Sequence, residues 1–470
     1  MDFHARSIYM EHVMKRYFNE LVQSTAEILR FDSSRKPAEG EYPFGKETAD
    51  CLAYFLSLAQ SWGFETHNYD NYVGEVVYGT GKPFAILAHL DVVPAGNGWK
   101  FPPFGGVIND EISDGGVTGT KLWGRGAMDD KGPAMAALYA LKALKDERFL
   151  PRRTIKLIVG CNEESGWECI KHYKEVAEMP EEGFTPDANF PVIYAEKGIF
   201  HFTASFPIEN APMTALKAGQ AANMVCDYAS AILTRKAGNK LVGYENGVAG
   251  TTLSYDNTTN ILQTHGKSAH ASTPQMGANA LKTMLAFLAT VNEDCKNAYE
   301  ILFNDGLGLQ AFEDETGKLT FSPDMASFEN GVLKVTVDVR IPSTFALKSV
   351  TERLEEAGVA YETNNYQPPL YNDPNGELIQ KLMKVYNEAT GSNNQPIAIG
   401  GGTYARALQC GCAFGPEMPC EEATIHQPNE YITLERLGLL SEIYYDAVKE
   451  IAKPKTVRLG TLTVKYEKKL

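Results

Sequence analysis

Long apolar runs are missing from this chain. The stretch from Ala134 to Leu141 is among the longest and is far too short to span a bilayer. The opening thirty residues scatter charge through an amphipathic pattern and hold no apolar signal core. Cysteine is scarce, with 8 in 470 residues at spacings that suggest no disulfide framework. Cys410 and Cys412, with Cys420 nearby, lack the C-x-x-C geometry of a metal clip and read as buried thiols. Positive charge is in deficit: 44 Lys and Arg stand against 59 Asp and Glu, a formal −15. Affinity for a phosphate backbone comes mainly from clustered Lys and Arg, so this balance argues against a nucleic-acid partner. No G-x-S-x-G or comparable nucleophile motif is found. These absences point to a cytoplasmic protein without membrane or nucleic-acid partners.

What is present is an ordinary globular composition, 44% hydrophobic and 22% charged, over a length about three times that of one domain. The first half alternates strand and helix patterns. Phe84 to Ala88 and Thr154 to Gly160 are continuous apolar runs, as strands buried on both faces should be. Between them, Pro133 to Leu144 reads as a helix opened by Gly132-Pro133. This succession predicts an α/β domain with a mostly parallel sheet and helices on both faces. The middle reads as an α+β insert, with strands at 199–206, 257–265 and 331–339 and helices at 278–292 and 346–357. The α/β pattern resumes near Gln395 and ends in a helix from Leu434 to Ala452. The expected division is 1–197 with 390–470 for the α/β domain and 198–389 for the insert. The basic segment after Ala452 reads as an edge strand or a loose tail.

Chemistry-bearing residues fall where the strands end, the place where parallel sheets gather function. His89-Leu90-Asp91 follows the run Phe84 to Ala88, and positions i and i+2 of an extended chain point the same way. Asp129-Asp130 sits in a small-residue loop entering a helix, and Glu163-Glu164 follows Thr154 to Gly160. Asp187 precedes Phe190 to Tyr194, and His426 precedes the last helix. Singly, each also suits a cap, a turn or a core position. Together they form a mixed N/O donor set that suits two divalent metals bridged by one carboxylate. Bringing Asp91, Asp129, Glu163, Glu164 and Asp187 together without cations would force some of them to hold protons.

The strings LAHLDVVP, WGRGAMDDKGP, CNEESG, PDANFPVIYAEKG, GKSAHASTPQMGANA, IGGGTYAR and IHQPNE, in this order, resemble the aminoacylase–carboxypeptidase–dipeptidase family of dinuclear metallopeptidases. The bacterial peptidase-V type is the nearest likeness, from about Asp32 to Ala452. The resemblance implies that His89, Asp129 and Asp187 hold one metal and that Asp129, Glu164 and His426 hold the other. Asp129 then bridges the pair through a cis Asp129–Asp130 peptide, and Asp91 orients His89. Zinc is the implied metal, with manganese or cobalt as alternatives. Glu163 becomes the general base that activates a metal-bridging water, and His270 the donor to the oxyanion. Asn223 and Arg340 grip the peptide, Arg340 by its C-terminal carboxylate, which Gly401, Gly402 and Thr403 cradle with backbone amides. The implied function is hydrolysis of L-dipeptides with free termini. A deacylase of N-acyl amino acids or a non-catalytic peptide binder are the alternatives. The insert resembles the doubled lid of the peptidase-V type, which supplies His270 within one chain and implies a monomer.

Overall fold

The computed structural model describes residues 12–113, 116–237, 248, 250–419, 421 and 424–453. Cys420 and the basic tail from residue 454 onward lie outside them. By contact the chain divides into two units, one of Met1–Val192, Pro374–Pro396 and Ala407–Leu470, the other of Ile193–Asp373 and Ile397–Arg406.

The first unit is built on a sheet whose strands run in the order Glu65–Tyr69, Val73–Tyr78, Arg153–Gly160, Lys82–His89, Glu182–Thr185 and Cys410–Ala413. Its middle is parallel: Lys82–His89 pairs in parallel with Arg153–Gly160 and Glu182–Thr185, and Cys410–Ala413 does so with Glu182–Thr185. The other end is antiparallel, because Glu65–Tyr69 turns into Val73–Tyr78 through Asp70 and Asn71, both at positive φ. So short a link cannot make the crossover a parallel pair requires. Phe84 to Ala88 are wholly buried, so both faces are covered there and the run carries no alternation. Each buried Leu, Ile or Phe contributes about 1.5–3 kcal/mol.

The helix Lys131–Asp146 is rich in alanine and buried around nearly its whole circumference. Its Gly132 is required by close approach, since a Cβ there would lie 2.1 Å from the Ala127 carbonyl oxygen. A side chain at this position would push the helix away from the loop that carries Asp129.

The second unit contains an eight-stranded sheet in the order Thr252–Asp256, Ile261–His265, Tyr228–Leu233, Met213–Ala218, Thr320–Glu329, Val332–Ile341, Gly198–Pro207 and Ala360–Gln367. All of these neighbours are antiparallel. Leu333, Val335, Val337 and Val339 are wholly buried on one side of their strand, the period of two that a sheet with one core face imposes. Where the sequence suggests one strand over 257–265, there is a hairpin, Thr252–Asp256 with Ile261–His265, turning through Asn260 at positive φ.

The unit boundaries also differ from those expected at 197/198 and 389/390. The helix Glu377–Thr390 packs with the first unit: Ile379, Leu382, Met383, Val385 and Tyr386 are buried, and Tyr386 stacks on Phe190 with centroids 5.1 Å apart. Conversely, Ile397–Ile399 adds in parallel to Ile193–Glu196 and carries residues 397–406 into the second unit.

One buried charge in the second unit has a stability consequence. Asp324 sits at a register shift between Pro323 and Met325 and is wholly buried, its Oδ1 accepting from Ser322 Oγ at 2.5 Å. Burial, joined by the charge of Asp338 and opposed by Ser322 and Arg340, pushes its carboxyl up to about 8. An unfolded Asp releases its proton near pH ~3.9. Between these values the folded protein binds more protons, so this group makes stability fall as pH rises. Asp324→Asn should therefore stabilise the protein by about 1–3 kcal/mol at about pH 8.5 and by far less at about pH 4, read from unfolding curves at both.

Candidate functional site

The parallel strand Lys82–His89 delivers His89 to the end of the first unit's sheet, with no exposed surface. Its Nδ1 faces the Asp91 backbone oxygen at 3.0 Å, with the Asp91 carboxylate at 3.5 Å. The carboxylate itself accepts from the N–H groups of Glu163 at 2.9 Å and Glu164 at 3.1 Å. Asp91 thus orients the imidazole mainly through its main chain and uses its carboxylate to fasten the loop after Arg153–Gly160 to the end of Lys82–His89.

His89 Nε2 lies 3.0 Å from Asp129 Oδ1 and 3.5 Å from Asp187 Oδ2. The other Asp129 oxygen, Oδ2, is 2.9 Å from His426 Nε2, which also meets Glu164 Oε2 at 3.2 Å. One carboxylate therefore stands between two imidazoles, with a further carboxylate beside each. The Asp129–Asp130 peptide is cis. Glu163 is anchored by the Trp167 indole N–H at 3.0 Å. Donor atoms of His89, Glu163 and Asp187 lie within 4.8 Å of one another, as do those of His89, Asp129 and Glu164.

The electrostatics of this group are those of a site built for cations. Burial drives Glu163 and Asp130 well above the usual carboxylate range and raises Glu164 and Asp187. Asp129 is also opposed by burial, but hydrogen bonds from His426 and His89 outweigh it and hold its carboxyl well below that range. Hydrogen bonds to Asp129 and Glu164 lift His426 to about 10. Two imidazoles held between crowded carboxylates stand where positive charge is needed, and the mixed N/O donor set fits divalent metal.

Glu430, inside the IHQPNE string but given no role by sequence reasoning, completes this half. Wholly buried, its Oε1 accepts from the N–H groups of Gly126, Met128 and Asp129 at 3.1, 3.0 and 3.2 Å, and its Oε2 from Arg125 Nη1 at 2.7 Å. It ties the loop of Asp129 to the loop of His426.

The remaining sequence candidates lie in the second unit. Ala271 N–H donates to the Asn223 oxygen at 2.9 Å, which places Asn223 beside His270. His270 Nδ1 accepts from Ser272 N–H at 3.1 Å. A backbone N–H can only donate, so the neutral ring carries its proton on Nε2 and offers it as a donor. Burial and the nearby Arg340 charge hold the His270 pKa down, favouring that neutral form.

Arg340 is nearly buried and gives its Nε and Nη2 to Asp338 at 2.7 and 2.8 Å, with His201 Nε2 on the same carboxylate at 3.0 Å. Its far end alone remains for a ligand. The spacing Asp338-Val339-Arg340 was a readable signal of this pairing, since i and i+2 share a strand face. Thr403 departs from the cradle role: its N–H donates to Glu196 Oε2 at 3.1 Å and its hydroxyl to Oε1 at 2.5 Å. Arg406 Nε reaches the same wholly buried carboxylate at 2.6 Å and also holds the Gly401 carbonyl. Thr403 thus fixes the loop, leaving Gly401 and Gly402 as its candidate cradle residues.

A profile described as peptidase family M20/M25/M40 matches residues 85–450. A Staphylococcus haemolyticus protein provisionally named a dipeptidase is 32% identical over 467 residues, covering 93% of this chain and 97% of its own. A Staphylococcus saprophyticus protein with the same kind of name is 33% identical over 470 residues, covering 93% and 98%. Among solved structures, aminoacylhistidine dipeptidase from Vibrio alginolyticus aligns with a TM-score of 0.57 at 14% identity, covering 96% of this chain and 100% of that one. Human carnosine dipeptidase 1 aligns at 0.55 and 15% identity, covering 93% and 97%. At such identities the structures share a fold with this chain.

Proposed function

The chain belongs to peptidase family M20/M25/M40 and is a metallopeptidase, and from that premise we propose that it hydrolyses L-dipeptides with free amino and carboxyl ends. The observation that carries this reading is the Asp129 carboxylate shared between His89 and His426, with Glu163 beside them. His89, Asp129 and Asp187 would hold one divalent cation, and Asp129, Glu164 and His426 a second, zinc being the reading with manganese and cobalt as alternatives. Such ions supply Lewis-acid polarisation of a carbonyl and acidify water.

The protein's own groups divide the remaining work. Glu163, raised by burial and oriented by Trp167, accepts a proton from the attacking water and returns it to the departing amine. His270 donates its Nε2–H to the oxygen on which negative charge develops. The free end of Arg340, Asn223 and the amides of Gly401 and Gly402 receive the substrate's backbone and carboxylate. We read the insert as a lid and the enzyme as a cytoplasmic monomer, on the likeness of the insert to the doubled lid that supplies a residue like His270 within one chain. No described helix is long and apolar enough to cross a membrane.

The test is hydrolysis by metal-loaded enzyme of free dipeptides set against N-acyl amino acids. Cleavage of Ala-Ala with little action on N-acetyl-Ala is expected. Activity confined to N-blocked substrates would replace this reading with a deacylase.

A further inference from the structure

Lys197 follows directly on Glu196, and its backbone oxygen accepts from Arg406, but its side chain takes no part in the Glu196 network. The residue as a whole is 5% exposed, and its ammonium donates to the Lys318 backbone oxygen. Among the described residues it has no ion-pair partner, and the adjacent Glu196 is committed to Arg406 and Thr403. Burying a lysine without a carboxylate is costly, and burial accordingly lowers its pKa, with Arg340 adding to the effect and Asp314 opposing it from a distance.

The place it occupies explains the cost. Lys197 N–H is bonded to the Ile399 oxygen at 3.2 Å, and Nζ lies 3.9 Å from where a Cβ on Gly400 would stand. Both border a cavity of about 960 Å³ within the second unit, which Ser272, Lys282, Lys318 and Gly401 also line. Among the described lining residues three are lysines and Asp305 is the only carboxylate. Ser272 is the hydroxyl partner of His270 at 2.7 Å, so the cavity adjoins residues assigned above to the substrate.

We propose that Lys197 binds a carboxylate of the substrate at the Gly400–Gly401 end of this cavity. It supplies the full positive charge that Arg340, half neutralised by Asp338, does not. The carboxylate is either the terminal one or an acidic side chain, and the proposal rests on the reading in which this loop receives the substrate's carboxyl end.

The variant Lys197→Gln keeps a donor for the Lys318 oxygen and removes the charge. Binding is measured by calorimetry in the metal-loaded Glu163→Gln background, with Ala-Ala, Ala-Glu, N-acetyl-Ala and Ala-Ala-amide as probes. K197Q should weaken free acids by about 10–100-fold and leave the amide unchanged. Equal losses for Ala-Ala and Ala-Glu assign the terminal carboxylate, and a loss confined to Ala-Glu assigns a side chain. Equal loss for acids and amide, or no loss, would overturn the proposal. Should K197Q not fold, Lys197→Met takes its place with the same readings: a loss for free acids but not for the amide supports the proposal, and equal loss or no loss refutes it. If no dipeptide is cleaved but N-acetyl-Ala binding still depends on Lys197, the carboxylate site stands and the dipeptidase reading falls.

Discussion

Glu163→Gln should lower kcat on Ala-Ala by about 10³–10⁴-fold while the purified enzyme keeps both metal ions. Glutamine has the same length and still offers an oxygen to the Trp167 indole, which holds the present side chain at 3.0 Å. It cannot take up a proton. The Glu163 backbone N–H stays bonded to Asp91 at 2.9 Å, so the loop keeps its place. The paired readouts are steady-state kinetics and elemental metal analysis. Activity within about tenfold of the parent would exclude Glu163 as the base. Loss of one metal would make it a ligand instead, a distinct outcome because its donor atoms lie within 4.8 Å of those of His89 and Asp187.

Asp129→Ala should have the larger effect and a different signature, with both ions lost together and kcat/KM down by more than about 10⁴-fold. Its two oxygens face different imidazoles, at 3.0 and 2.9 Å, so no single replacement elsewhere touches both positions. Asp187→Ala and His426→Ala, each on one side only, should each release one ion. If Asp129→Ala retained one ion at full occupancy, the shared carboxylate would be the wrong bridge. Metal-to-protein ratios after dialysis separate the three variants, and kinetics on the same preparations link occupancy to turnover.

The parts of this arrangement that could be read from the sequence are those a local pattern dictates. Phe84 to Ala88 and Thr154 to Gly160 announce buried parallel strands because both faces are covered, and the residues just beyond them, His89 and Glu163-Glu164, converge as the end of such a sheet requires. The hairpin at 252–265 was hidden because its turn residues, Asn257 to Asn260, lie inside a stretch that also reads as one strand. The helix Glu377–Thr390 crosses the boundary expected at 389/390 because an apolar face says that a helix packs, but not on which unit. Thr403 shows the limit at the site itself. Its place in a glycine-rich loop suggests an open amide, and only the fold brings Glu196, 207 positions earlier, to occupy it. Glu430 is the same case in reverse, a residue in a quoted motif whose partners, Gly126, Met128 and Asp129, lie about 300 positions away.

That long-range fastening bears on the order in which the protein is made. The acidic loops at Asp129, Glu163 and Asp187 are synthesised well before the strand Cys410–Ala413, His426 and Glu430. Until those arrive, the Asp129 loop lacks the carboxylate that gathers its three amides, and Asp129 lacks its second imidazole. The nascent chain therefore carries a half-built acidic pocket through most of its translation and gains its full donor set only near the end. If the proposed metal site holds, loading it is in this sense a test of completed synthesis, because a chain stopped before His426 has the carboxylates without that imidazole.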